Sequence, residues 1–152
     1  MTPDAVFSRI LVPTDFSAGS ERAWRMARRL AGALRSELVL VHVLVEVPPF
    51  FEGGPFSSGR VRELFATTRR WTEEQLEQRV GEARAAGHTA RAVIRAGAPH
   101  AEIVAAVRDE QADLVVLGTQ GRGGIDRALL GSVADRVIRT APCPVLAVRE
   151  PE

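Results

Sequence analysis

Leu117-Gly118-Thr119-Gln120-Gly121-Arg122-Gly123-Gly124-Ile125-Asp126-Arg127-Ala128-Leu129-Leu130-Gly131-Ser132 is the stretch whose reading decides the fold. It follows Leu114-Val115-Val116-Leu117, an apolar run that reads as a buried strand, and precedes Val133 to Thr140, which reads as a helix. Strand, glycine-rich turn and helix in succession form the repeating unit of an α/β chain. Glycines at such a turn let backbone N–H groups approach a ligand closely, and a helix N-terminus favours an anion. A nucleotide phosphate chain is the expected occupant.

The rest of the chain repeats the same unit. Phe7 to Val12 reads as a short apolar strand ended by Pro13, and Ser17 to Leu34 as a helix with Ser17 as N-cap. Ala23, Ala27, Leu30, Ala31 and Leu34 recur there at helical spacing. Glu37 to Val45 is a continuous run of β-branched residues and Leu, as in a strand buried on both faces. Arg60 to Ala86 reads as a long helix with Val61, Leu64, Phe65, Thr68 and Thr72 on its inner side and Gly87 as its stop. Thr89 to Arg95 alternates as an edge strand would. Pro99 then opens a helix with Ile103, Val104 and Val107 inward. Ser132 begins the last helix, Pro142 stops it, and Val145 to Val148 is a final strand.

The element order is β-α-β-α-β-α-β-α-β. It implies one open parallel sheet covered by helices on both faces, with no linker or repeat dividing residues 1–152. Ligands of such sheets bind at the carboxyl ends of strands, beside a topological switch point. The first and fourth strands end in Pro13-Thr14-Asp15 and Gly118-Thr119-Gln120-Gly121, so neighbouring strands would bring both ends to one crevice. Val47 to Gly59, with Pro48, Pro49, Gly53, Gly54, Pro55 and Gly59 among Phe50, Phe51 and Phe56, reads as a long loop. It is either a variable surface connection or a flap over a ligand or partner.

Composition narrows the chemistry. The chain has 152 residues, 45% of them hydrophobic, which suits a soluble globule with a real core. Its formal net charge of +1 gives no general drive toward nucleic acid or an anionic membrane. No apolar run approaches the ~20 residues of a membrane span, so the expected location is the cytoplasm. All 20 basic residues are Arg. A phosphate loop of the Walker A kind needs a Lys, and so does Schiff-base catalysis; both are excluded. The spacing G-x-G-x-x-G is absent, which argues against a dinucleotide enzyme. Cys143 is the single cysteine, flanked by Pro142 and Pro144, and reads as a structural thiol. His42, His88 and His100 lack metal-like spacing, and no Gly-x-Ser-x-Gly elbow occurs.

The candidate site residues each have two readings. Asp15 is either a helix-entry residue or a carboxylate that accepts hydrogen bonds from a base amine or ribose hydroxyl. Ser132-x-x-Asp135 has the outline of a capping box, yet the same turn is an anion site. Arg122 and Arg127, the cations of the glycine segment, are phosphate ligands or solvated charges.

Taken together the motifs resemble the universal stress protein family, in its ATP-binding branch. The family's G-x2-G-x9-G followed by Ser or Thr stands here as Gly118, Gly121, Gly131 and Ser132. Ile10-Leu11-Val12-Pro13-Thr14-Asp15-Phe16-Ser17, Val41-His42-Val43, Gly97-Ala98-Pro99-His100 and Ala141-Pro142-Cys143-Pro144-Val145-Leu146 complete the match. The resemblance implies strand order 3-2-1-4-5. It implies adenine and ribose near Pro13, Thr14, Asp15 and the backbone of Val43, with Leu117, Gly118 and Gly121 along ribose and phosphates. Arg122, Gly131, Ser132 and Val133 would bind the phosphate chain. It further implies ATP, with or without Mg2+, as ligand and a homodimer through Val145 to Val148; with no phosphate Lys and no evident catalytic base in the sequence, at most slow hydrolysis is expected. Gln120 departs from the family, which commonly has His or Arg there.

Overall fold

The computed structural model describes residues 5–45, 59–120 and 129–151. The elements are β1 (Arg9–Pro13), α1 (Ala18–Leu34), β2 (Glu37–Leu44), α2 (Gly59–Ala85), β3 (Ala90–Ala96), α3 (Pro99–Asp109), β4 (Leu114–Gly118), α4 (Ser132–Thr140) and β5 (Val145–Val148). The strands form one sheet in the order β3-β2-β1-β4-β5. Every pairing is parallel, with Leu11 opposite Val39 on one side and Val115 on the other.

Alternation along the strands divides the core between the two faces. Ile10, Val12, Leu38, Leu40, Leu114 and Val116 point one way, against Ala23, Trp24 and Ala27 of α1 and Leu76 and Val80 of α2. Leu11, Val39, Val41, Val115 and Leu117 point the other way, against Ile103 and Val107 of α3 and Ala134 and Val137 of α4. A residue step of one crosses the sheet, which is why continuous apolar runs are needed here. The chain moves outward from β1 to β2 and β3, then returns to the far side of β1 with β4. The β1–β4 junction is therefore the switch point.

Three expectations change. The first strand begins at Arg9, not Phe7, because the Asp113 carboxylate takes the N–H groups of Ser8 (2.8 Å) and Arg9 (2.9 Å). The inward stripe expected at the start of α2 is not buried: Leu64 is 67% and Phe65 39% exposed, and burial begins at Thr72 and continues through Leu76, Val80 and Ala83. The reason is length. The 27 residues of α2 span about 40 Å, whereas the eight of β2 span about 26 Å, so the helix outruns the sheet. The last helix is capped by Gly131, and Ser132 is its first helical residue. The capping box does not form, because Asp135 pairs instead with Arg139 at 3.0 Å.

The amino ends of the strands are held by an ion-pair cluster. Glu37 accepts from Arg9 and Arg91, each at 2.7 Å. Burial would raise the Glu37 value, but the two guanidinium groups outweigh it and hold the carboxyl below its ordinary range. All of this lies at the end of the sheet away from the switch point.

Candidate functional site

The carboxyl ends of β1, β2 and β4 and the start of α4 converge at the switch point. Beyond β1 the chain turns into α1 through four residues whose polar groups are closely paired. Thr14 N–H donates to the Val41 carbonyl at 2.8 Å, which extends the β1–β2 ladder by one step. Buried Thr14 Oγ1 donates to Ser20 Oγ at 3.1 Å and accepts the Phe16 N–H at 3.0 Å. Asp15 Oδ1 accepts the Ser17 N–H at 3.0 Å, the local turn for which Asp is suited. Ser17 then caps α1 by accepting from Ser20 N–H at 3.3 Å. Phe16 itself sits at φ 63°, in the left-handed region. For a bulky side chain this conformation costs roughly 1–3 kcal/mol and persists only where neighbours enforce it.

The end of β2 supplies two different surfaces. His42 points toward α1 and α2, and its Nδ1 lies 2.8 Å from the Thr14 carbonyl. A carbonyl only accepts, so Nδ1 is the protonated nitrogen of that contact. Val43 points to the opposite face, against the α3–α4 core. Its backbone groups share the direction of those of Val41, toward β1, but the register ends at Pro13 opposite Val41. Val43 thus directs its N–H and C=O past the end of β1, next to the Thr14–Asp15 turn.

Leu117 is buried in the α3–α4 core and Gly118 ends β4. A Cβ on Gly118 would lie 2.6 Å from the carbonyl carbon and oxygen of Gly19 in the first turn of α1. Packing against α1 therefore demands glycine at this position, whatever binds nearby. Gly19 completes the contact from the other side, since its own Cβ would strike the Gln120 carbonyl oxygen.

The far end of the glycine segment returns to β4: Gly131 N–H donates to the Thr119 carbonyl at 2.6 Å. Gly131 has no side chain to cap α4, and among the described residues no other side chain does so. Ser132 and Val133 are exposed in the first turn. Backbone donors left without a cap and the positive end of the helix dipole together favour an anion here. The structure thus brings Pro13, Thr14, Asp15, Val43, Leu117, Gly118, Gly131, Ser132 and Val133 to one end of the sheet. Gly121, Arg122 and Arg127, like the segment 47–58, lie outside the described residues.

Sequence reasoning missed Phe16, Gly19, Trp71 and Arg79 around this end. Gly19 carried a legible signal, a glycine inside a helical pattern, which usually marks a close approach. The Phe16 backbone carried none. Among the described residues no group of three or more His, Cys, Asp and Glu side chains could hold a metal. Cys143 is half-buried, and burial pushes its thiol up, with Asp113 adding to the rise and the Val115 backbone opposing it.

Known proteins share both the fold and the sequence. The model of the universal stress protein family matches residues 7–149. The universal stress protein MJ0531 of Methanocaldococcus jannaschii is 35% identical over 147 residues, covering 97% of this chain and 85% of the relative. The solved structure of MJ0577, from the same organism, superposes with a TM-score of 0.82 at 29% identity, over 95% of this chain and 97% of that one. A universal stress protein solved in complex with cAMP superposes with a TM-score of 0.63 at 28% identity, over 94% and 97%. A family match over residues 7–149, with relatives and a superposable fold covering at least 94% of the chain, is not a local likeness: the chain belongs to the universal stress protein family.

Proposed function

We propose that the chain binds an adenine nucleotide, ATP in the first instance, at the β1–β4 switch point, and serves as a homodimeric, nucleotide-responsive stress or signalling module of the cytoplasm. The observation that carries the reading is the start of α4, without a side-chain cap among the described residues and fixed to β4 through Gly131 and Thr119, at the same sheet end as Asp15. That pairing suits a ligand with an anionic tail and a polar, hydrogen-bonding head. The cAMP complex of a related protein supports an adenine head.

In this reading Asp15 and the backbone of Val43 take the base and ribose, beside Pro13 and Thr14. Leu117, Gly118 and Gly121 line the ribose and phosphates. Ser132, Val133 and Gly131 meet the phosphates with backbone N–H groups and the Ser132 hydroxyl, and Arg122 adds charge. A Mg2+ accompanying ATP would be carried mainly by phosphate oxygens. The described residues include no Lys for the phosphates and no evident general base, so binding without rapid hydrolysis is the expected behaviour.

Ligand extracted from protein purified without added nucleotide should be an adenine nucleotide by mass spectrometry, and calorimetric titration should show ATP binding. Gly131→Val should abolish it, because a branched side chain would occupy phosphate space. Absence of any extracted ligand, with no binding at millimolar ATP, would sink the proposal. A second reading, a nucleotide-independent adaptor, draws on one observation: Gly118 is already required by its contact with Gly19. Partner binding unchanged by Gly131→Val would favour it.

The dimer is assigned to β5. Among the described residues this strand pairs with β4 alone; it is uncharged and leaves Leu146 38% exposed. Beside it Phe7, Leu30, Leu34, Leu114, Pro144, Val145 and Leu146 line an apolar groove of about 290 Å³. An open apolar edge suits pairing with a second copy about a two-fold axis. Leu146→Asp should yield a monomer by light scattering; a persistent dimer would place the interface elsewhere.

A further inference from the structure

Phe16 occupies a left-handed conformation (φ 63°) that an aromatic residue rarely adopts, and the ring is gripped by three side chains from two elements. His42 of β2 stacks on it with ring centroids 4.8 Å apart and planes at 27°. Trp71 of α2 meets it edge-on at 5.2 Å and 81°. The Arg79 guanidinium lies over the ring at 4.9 Å. Arg79 is in turn fixed by Glu21 of α1 at 2.5 Å and by the Gln75 carbonyl at 2.8 Å. Below the ring, His42 Nδ1 donates to the Thr14 carbonyl at 2.8 Å.

Capping of α1 does not account for this assembly, because Ser17 already provides the cap. What the Phe16 conformation governs is the peptide between Asp15 and Ser17. The Asp15 carboxylate takes the Ser17 N–H at 3.0 Å only while the residue between them keeps its turn. We propose that Phe16, braced by His42, Trp71 and Arg79, is a positioning residue for Asp15, and that this aromatic–guanidinium brace sets adenine-nucleotide affinity without touching the ligand. The proposal rests on the nucleotide reading above. By linkage, a ligand that holds Asp15 also holds the brace, so occupancy is transmitted to Trp71 on α2.

The test is a double-mutant cycle read by ATP calorimetry, with thermal melts as a check on folding. Phe16→Ala should weaken ATP roughly tenfold, while Phe16→Tyr, which keeps the brace, should stay within about threefold of wild type. Half-exposed Trp71→Ala should weaken binding in the same direction, and Trp71→Phe should restore it. In an Asp15→Asn background the further loss from Phe16→Ala should shrink to near nothing, because the residue acts through that carboxylate. A full, additive loss in that background would overturn the proposal, since it is what general destabilisation produces. Unchanged affinity in Phe16→Ala, with wild type binding ATP, would overturn it as well. If wild type binds neither ATP, AMP nor cAMP, the nucleotide reading itself fails and takes the brace with it.

Discussion

Gly118→Ala separates packing from ligand binding at the end of β4. The new Cβ would stand 2.6 Å from both the carbonyl carbon and oxygen of Gly19 and 3.1 Å from the Ser20 nitrogen. Carbon contacts are comfortable at roughly 3.5–4.0 Å, so the overlap is about 1 Å. The atoms struck are backbone, in a helix turn fixed by the Ser17 cap and by Ser20, and they cannot rotate away. Either α1 lifts off the sheet or β4 shifts, and overpacking of this kind costs about 2–3 kcal/mol. For a chain of this size each kcal/mol moves Tm by about 2–4 °C, giving a fall of roughly 4–12 °C. The assay is thermal unfolding by circular dichroism with no nucleotide present. Gly81→Ala is the control: nothing lies within 4 Å of its Cβ position, and the residue is inside α2. It should raise stability by up to about 1 kcal/mol through helix propensity alone. An unchanged Tm in Gly118→Ala would refute the packing argument. If ATP binding were lost at the same time, glycine would be there for the ligand.

Ser132→Ala should leave the melting temperature within about 1 °C of wild type, because the hydroxyl caps nothing among the described residues, yet should weaken ATP binding; a stability loss of the size of a missing cap would restore the capping box. Glu37→Gln tests the ion-pair cluster. The native carboxyl titrates below its unfolded value near 4.3, so its contribution is present at neutral pH and is lost as pH falls through the lower native value. The variant should lose about 1 kcal/mol at pH 7 and show a flatter acid limb in urea unfolding; parallel pH profiles would reject the assignment. Cys143 should react with a thiol reagent more slowly at pH 8 in the native chain than in urea, because its thiol is pushed up by burial; equal rates would contradict it.

The parts of the fold legible in the sequence were those that alternation or a continuous apolar run encodes. Leu38 to Val41 and Leu114 to Leu117 read as strands buried on both faces and are so, and Ile103, Val104 and Val107 marked the inner side of α3. Periodicity identifies a face but not the extent of what lies beneath it. Val61, Leu64 and Phe65 continue the phase of an inner stripe, yet they precede the point at which the sheet begins to support α2. Capping failed similarly, since Ser132-x-x-Asp135 fits the pattern while the preceding Gly131, with ψ 149°, takes the cap position and Arg139 takes the carboxylate. For the site, Thr14-Asp15 and Gly131-Ser132 could be named because strand ends and helix starts are readable. Their meeting across more than a hundred residues followed from β1 and β4 being neighbours. Phe16 of the β1–α1 turn, His42 of β2, and Trp71 and Arg79 of α2 share no motif, so only the tertiary fold brings them together.

The 2.6 Å bond from Gly131 N–H to the Thr119 carbonyl bears on how a ligand would be received. It fixes the first turn of α4 relative to β4 while the chain folds, before any anion arrives. Gathering those backbone donors is then no part of the association step, and the entropy of ordering them is not charged against affinity. Such a cradle is preorganised. If the proposed nucleotide site holds, its anion-binding turn stands ready before the ligand binds, and affinity reports contacts rather than the cost of assembling them.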